Sequence, residues 1–231
     1  MSIWNDIWEL FFPRYCVLCG NRLMKGEECM CVKCFTGLPR TRMHPIASNA
    51  MEKEFWGKLP IERANSLLYY AKGGDVRKLL YEVKYYGNDR LALFLGKCMA
   101  MEFQPSNFFQ DVDCILPVPL HEKKKKKRGY NQSEMIAKGI SMVTGIPLSG
   151  NLLKRIRYTE TQTRKRSYER WLNVQNVFEC ISPEALEGKH VLLVDDVMTT
   201  GATIVACADA LSEIPRIRIS VLTCYRRYGR T

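Results

Sequence analysis

At 231 residues, with 46% hydrophobic and 26% charged side chains, the chain has the make-up of one good-sized globular domain plus a small appendage. Thirty-five Lys and Arg against 24 Asp and Glu leave a formal charge of +11, which points to a polyanionic partner or a phosphorylated ligand. No run approaches the ~18–20 apolar residues of a membrane span, and the N-terminus lacks the basic region, unbroken apolar core and small-residue cleavage site of a secretory signal, so neither a transmembrane nor a secreted protein is expected.

In chain order, Ile3, Trp4, Ile7, Trp8 and Phe11 recur at helical spacing within Ser2–Phe12, and Pro13 ends the run. Its polar side holds Asn5, Asp6 and Glu9 and no Lys or Arg, which favours packing on the protein's own domain over a membrane-surface or partner role. Tyr15–Leu38 is a cysteine module. Cys16-x-x-Cys19 and Cys31-x-x-Cys34 are two CxxC pairs separated by eleven residues, each able to fold two thiolates around one metal. Four thiolates suit a structural, tetrahedral Zn²⁺ and leave no open position for catalysis. Five of the ten cysteines fall between Cys16 and Cys34, which favours metal over disulfides or a redox pair. Cys29 competes with Cys31 for one position, and the CxxC spacing favours Cys31. Cys98, Cys114, Cys180, Cys207 and Cys224 sit in apolar patterns and read as packed thiols.

Thr41–Leu59 shows little periodicity. Residues 1–45 are therefore expected to form the helix and metal module, 46–60 a linker, and 61–231 the main domain. Within that domain the pattern predicts a strand over Ser66–Ala71, helices over Asp75–Lys84 and Leu91–Glu102, a strand over Asp113–Val118 and a helix over Ser133–Thr144. A strand over Leu152–Arg157, a short helix or turn over Ser167–Asn173, and strands over Val177–Cys180 and Ile217–Tyr225 follow. Alternating strands and helices imply a mainly parallel sheet covered on both faces.

The most telling stretch is Val191–Thr203, VLLVDDVMTTGAT. Val191–Val194 read as a buried parallel strand, followed at its carboxyl end by Asp195 and Asp196 and then by the turn Thr199–Thr203, with a helix running on to about Glu213. Ligands of open α/β sheets bind beyond the carboxyl ends of strands. Gly201 lets backbone N–H groups close around a small anion, the helix N-terminus adds donors, and the threonine hydroxyls supplement them. Such a turn suits a phosphate monoester, and the acids suit sugar hydroxyls or hydrated Mg²⁺. There is no Gly-Lys-Ser/Thr of a Walker A loop.

This run resembles the ribose-phosphate signature of the type I phosphoribosyltransferase fold. The resemblance implies a mainly parallel sheet with flanking helices, and Asp195 and Asp196 facing the ribose of phosphoribosyl pyrophosphate (PRPP). Val197, Met198, Thr199, Thr200, Gly201, Ala202 and Thr203 would complete the loop around its 5′-phosphate, with Mg²⁺ bound alongside. With the cysteine module, LLYEVKYYGN (Leu79–Asn88), DCILPVPLH (Asp113–His121), RGYNQSEMIA (Arg128–Ala137) and TETQTRKRSYERWLNV (Thr159–Val174), the chain is similar in order and spacing to the ComF family, phosphoribosyltransferase-like proteins linked to DNA uptake in bacterial competence. That resemblance implies a zinc ribbon, a cytoplasmic setting and competence-machinery partners.

Within those motifs, Arg128 can donate to anionic oxygens, and Tyr130, Asn131 and Gln132 offer polar contacts before a helix. His121 reads more readily as a surface histidine than as a ligand contact. Lys84 is either a phosphate contact or a solvated helix-end charge. The basic run Lys123, Lys124, Lys125, Lys126, Lys127 and Arg128 is expected to be extended and solvated beside the ligand rim. A second cluster, with Arg164, Lys165 and Arg166, is interleaved with aromatics including Trp171; it suits single-stranded DNA, or a loop closing over PRPP, while Trp171 alone could be core. Three functions follow: a competence protein binding PRPP and single strands, an active phosphoribosyltransferase of nucleotide metabolism, or a zinc-ribbon nucleic-acid binder with a vestigial pocket. No residue announces itself as nucleophile or acceptor-base contact, so catalytic turnover stays open.

Overall fold

Four parallel strands order the molecule: β1 (Ala64–Tyr70), β2 (Cys114–Pro117), β5 (His190–Met198) and β6 (Arg218–Arg227), arranged β1-β6-β5-β2. Between them in sequence, β3 (Leu153–Arg155) and β4 (Phe178–Cys180) form a separate antiparallel ribbon. The computed structural model describes residues 12–70, 74–157 and 177–227. The expected helix over Ser2–Phe12 (save Phe12) and the expected element over Ser167–Asn173 lie outside those residues.

The helices are α1 (Val32–Thr36), α2 (Gly74–Tyr85), α3 (Asp89–Phe103), α4 (Glu122–Arg128), α5 (Gln132–Thr144) and α6 (Ala202–Asp209). Amphipathic spacing makes α2: Val76, Leu79, Leu80 and Val83 are buried on one face. The Asn88 side chain starts α3 by accepting from Leu91 N–H at 3.0 Å. Gly145, at φ +76°, ends α5. α2, α3 and α5 share one core with Leu192, Val194, Leu222 and Cys224 of the sheet. α6, the β3–β4 ribbon and residues 43–59 share a second with Val191, Leu193 and Val221. The sheet is thus apolar on both sides, which is why Val191–Val194 is a continuous hydrophobic run.

α3 and α5 cross at two glycines. A Cβ on Gly96 would come within 2.0 Å of the Ile136 carbonyl oxygen, and one on Gly139 within 2.2 Å of the Leu93 oxygen. Only hydrogen fits at either position. The outer sheet edges are covered. Arg40 bridges Leu68 antiparallel beside β1, and Ile115 of β2 exchanges backbone bonds with Pro147 and Ser149 at 2.9 Å each.

Four expectations change. β5 does not stop before the acids but runs to Met198, because pairing with β6 continues through Asp195–Thr223, Val197–Tyr225 and Met198–Arg226. The following helix is shorter than expected and ends at Asp209, not Glu213. Leu211 and Ser212 bond three residues back, the Ser212 hydroxyl takes the Asp209 carbonyl at 2.8 Å, and Pro215 blocks continuation. The basic run Lys123–Arg128 is helical, not extended. The His121 ring accepts from Lys123 N–H at 3.2 Å, Lys125 pairs with Glu134 at 3.5 Å, and Gly129 at φ +83° terminates the turn. Segment 46–60 buries Met51, Phe55 and Leu59 in the core. Asn49 ties it down, accepting from Met51 N–H at 2.8 Å and donating to the Ala64 carbonyl at 2.9 Å, while Arg226 reaches the Ala50 carbonyl at 3.0 Å and the Glu54 carboxylate.

Candidate functional site

The carboxyl end of β5 carries a cluster of paired polar side chains. Asp195 Oδ1 accepts from the Ser133 hydroxyl at 2.9 Å and from the Asp196 backbone N–H at 2.8 Å. Asp196 Oδ2 lies 3.1 Å from Lys84 Nζ, with side-chain exposures of 9% and 16%. α5 supplies Ser133 from its first turn and α2 supplies Lys84 from its last, so two helices converge on adjacent residues of one strand. Burial, reinforced by the neighbouring Asp196 charge, pushes the Asp195 carboxyl up to about 7; Lys84 and Ser133 oppose the rise.

Beyond the acids the chain turns. Val197 packs partly against the core and Met198 is buried, so both members of the expected loop set serve as strand and not as contact side chains. Thr199 and Thr200 are exposed. Gly201 stands at φ +74° with Phe55 packed behind it, 3.4 Å from where a Cβ would sit. A side chain there would be strained by conformation. Ala202 and Thr203 already belong to the first turn of α6, and the Thr200 hydroxyl receives Ala202 N–H at 3.5 Å. Exposed hydroxyls therefore stand at the N-terminus of a helix, beside a carboxylate pair at the carboxyl edge of a parallel sheet.

The RGYNQS stretch braces this rim. Arg128 donates to Gln132 Oε1 at 2.7 Å and lies over the Tyr85 ring, 5.7 Å from its centroid. The Tyr130 hydroxyl donates to the Val83 carbonyl, and Asn131 Nδ2 donates to the Val118 carbonyl at 3.1 Å. Tyr130 and Asn131 thus join α2 and the loop after β2 to α5. Sequence reasoning did not single out Ser133; its signal is a hydroxyl in the first turn of a helix inside the RGYNQS motif. Of the two alternatives expected for Lys84, the solvated helix-end charge does not hold, since the side chain is largely buried and ion-pairs with Asp196.

The second cluster lies in the cysteine module. One sulfur from each of Cys16, Cys19, Cys31 and Cys34 lies within 4.8 Å of all the others, and Cys19 Sγ is 3.8 Å from Cys31 Sγ. A tetrahedral ion with bonds of about 2.3 Å needs sulfurs about 3.8 Å apart. The four can hold one metal ion and fit zinc. The two turns that gather them are closed by Gly20 N–H to the Cys16 carbonyl and Phe35 N–H to the Cys31 carbonyl, each at 2.9 Å. Burial raises the Cys16 thiol, but backbone N–H groups of Cys19, Cys31 and Leu18 outweigh it and bring it down to about 6. Cys31 and not Cys29 lies in the cluster; the Cys29 carbonyl accepts from Val17 N–H at 3.0 Å. The module docks on α2 and α3. Lys78 donates to the Leu18 carbonyl at 2.8 Å, and Lys97 pairs with Glu28 at 3.0 Å.

On the basic face, Lys123, Lys125, Lys126 and Lys127 are exposed on α4 and Lys124 is half-buried. Arg164, Lys165, Arg166 and Trp171 lie outside the described residues. No helix among the described residues is long and apolar enough to cross a membrane.

The Phosphoribosyl transferase domain family matches residues 120–229. DNA utilization protein YhgH of Escherichia coli strain K12 is 27% identical over 199 residues, covering 85% of this chain and 83% of that protein. Competence protein ComFC of Bacillus subtilis is 26% identical over 210 residues, covering 87% and 78%. Competence protein F of Haemophilus influenzae is 37% identical over 93 residues, covering 40% and 41%. The family match agrees with the parallel sheet and its flanking helices. The chain is similar to phosphoribosyltransferase-like proteins of the ComF kind.

Proposed function

We propose that this competence-related, phosphoribosyltransferase-like protein binds PRPP or a related ribose 5-phosphate at the turn between β5 and α6, and handles single-stranded DNA in the cytoplasm during transformation. The observation that carries the first half is the junction itself: exposed Thr199 and Thr200 and the N-terminus of α6 directly follow the Asp195–Asp196 pair on one strand end. The names of the relatives, competence and DNA utilization proteins, together with the basic α4, support the second half.

In this reading the backbone N–H groups of the turn and the Thr199, Thr200 and Thr203 hydroxyls hold the 5′-phosphate. Asp195 and Asp196 accept from the ribose hydroxyls. Lys84 pairs with the Asp196 carboxylate and orients it, and Ser133 orients Asp195. The all-oxygen donor set of the acids and a ligand diphosphate fits Mg²⁺, which supplies charge neutralisation for the pyrophosphate when bound. Arg128, the last residue of α4, would serve as a donor to ligand oxygens. In the cysteine module, Zn²⁺ is the metal proposed, in a structural role.

Calorimetry with PRPP and Mg²⁺ tests the assignment. Thr200→Leu removes a hydroxyl and obstructs the turn, and should abolish measurable binding. Asp195→Asn with Asp196→Asn should weaken Mg²⁺-dependent binding. Unchanged affinity in both variants refutes the pocket. Base-dependent release of pyrophosphate by the wild-type protein, with normal transformation in a deletion strain, would instead make it a metabolic phosphoribosyltransferase.

A further inference from the structure

One face of α2 carries aromatic and cationic groups that neither the fold nor the ribose-phosphate pocket uses. Arg77, Tyr81 and Tyr85 are spaced i, i+4 and i+8, so they lie in one row on the helix surface. Arg77 lies 5.2 Å from the Tyr81 ring centroid. Tyr81 and Tyr85 are 5.2 Å apart, centroid to centroid, at an interplanar angle of 52°. Arg128 closes the row, 5.7 Å from the Tyr85 centroid. The order along the surface is therefore cation, ring, ring, cation.

The two rings are 39% and 64% exposed. Their tilt means that neither covers the other's face in a parallel stack. Arg128 is also the last residue of α4, so the row runs directly into the lysines Lys123–Lys127. Exposed aromatic faces serve no purpose in the core of this domain, where α2 is anchored by Val76, Leu79, Leu80 and Val83 on its other side. Aromatic faces flanked by guanidinium groups and continuous with a polycationic helix match one ligand chemistry well: unpaired bases on a phosphate backbone.

On the footing of the single-strand reading above, we propose that Tyr81 and Tyr85 form a base-stacking platform for single-stranded nucleic acid, with Arg77 and Arg128 flanking it and α4 taking the adjoining phosphates. The platform reads no sequence, because every base has a π-face. It holds only unpaired strands, because a duplex keeps its base faces stacked on one another. It also sets the direction in which a strand leaves the basic helix, along α2 toward the cysteine module that Lys78 anchors.

The test is fluorescence anisotropy of the full chain with a labelled twenty-nucleotide oligo(dT), a backbone-matched oligomer with abasic positions, and a duplex of the same length. Tyr81→Ala with Tyr85→Ala should lower oligo(dT) affinity by roughly ten-fold or more. Its salt dependence should stay that of wild type, since stacking releases no counterions. Tyr81→Phe with Tyr85→Phe should bind within about two-fold of wild type. Neutralising Lys123–Lys127 should instead flatten the salt dependence. Wild type should prefer oligo(dT) to the abasic oligomer, and the double alanine variant should lose that preference. A double alanine variant that binds and discriminates like wild type overturns the platform and leaves the single-strand reading intact. A wild type that binds duplex as well as oligo(dT) also overturns it. A wild type that binds no oligo(dT) removes the single-strand reading and the platform together.

Discussion

Lys84 Nζ sits 3.1 Å from Asp196 Oδ2, joining the last turn of α2 to the end of β5 with both side chains largely out of water. The pair gives a second anchor to the strand end that leads into the Thr199–Thr203 turn. The neighbouring Asp195 carboxyl is pushed up first by burial and then by the Asp196 charge, and Lys84 opposes that rise.

Removing the cation should therefore cost more than removing the pair. Lys84→Met leaves Asp196 unpaired beside Asp195 and should destabilise the fold by up to about 3 kcal/mol. Adding Asp196→Asn should recover a large part of that loss. Urea melts of the two single variants and the double form the cycle; a coupling energy near zero would mean that the pair contributes no stability.

Asp195 gives the stability a pH dependence. Its folded value of about 7 lies above the ordinary carboxylate value, so between about pH 4 and pH 7 the folded state binds more protons than the unfolded one. Its contribution is complete below the unfolded value and is lost as pH rises through 7. Asp195→Asn should flatten this slope and gain relative to wild type at pH 8 compared with pH 5. Melts at the two pH values check it, and an unchanged slope would remove Asp195 as its source.

Helix contact depends on hydrogen at two positions. Gly96→Ala or Gly139→Ala would drive a methyl into the Ile136 or Leu93 carbonyl oxygen, both of them rigid backbone. Each should cost about 3 kcal/mol or more through separation of α3 and α5, in spite of the better helix propensity of alanine. The melting temperature of either variant decides this, and a rise would show that the helices can part cheaply.

The cysteine module should carry one equivalent of zinc by elemental analysis. Chelation should make four of the ten cysteines reactive to a thiol reagent, those of the 16, 19, 31 and 34 cluster. Cys29→Ser should leave the zinc content unchanged, whereas Cys31→Ser should lower it. Zinc-thiolate modules gain about 10–16 kcal/mol in apparent binding free energy, so the metal-free module should also lose its docking on α2 and α3.

By itself the sequence determined the parallel α/β class, the CxxC pairs and the strand–turn–helix at Val191–Thr203. Those features rest on local rules: apolar runs for buried strands, 3.6-residue spacing for α2, α3 and α5, ligand spacing for thiolates, and a glycine where the turn needs positive φ. The tertiary structure decided what local rules cannot carry. β5 extends through Asp195 and Asp196 only because β6 supplies partners for the ladder. Lys123–Arg128 coils in spite of its charge because His121, Glu134 and Gly129 satisfy its ends and one of its lysines. Met51 and Phe55 enter the core because Asn49 and Arg226 fasten their segment to strands far away in sequence. Lys84 and Ser133 reach the acids across more than sixty residues of chain, and that contact depends on how two helices lie on one sheet rather than on any pattern within either helix.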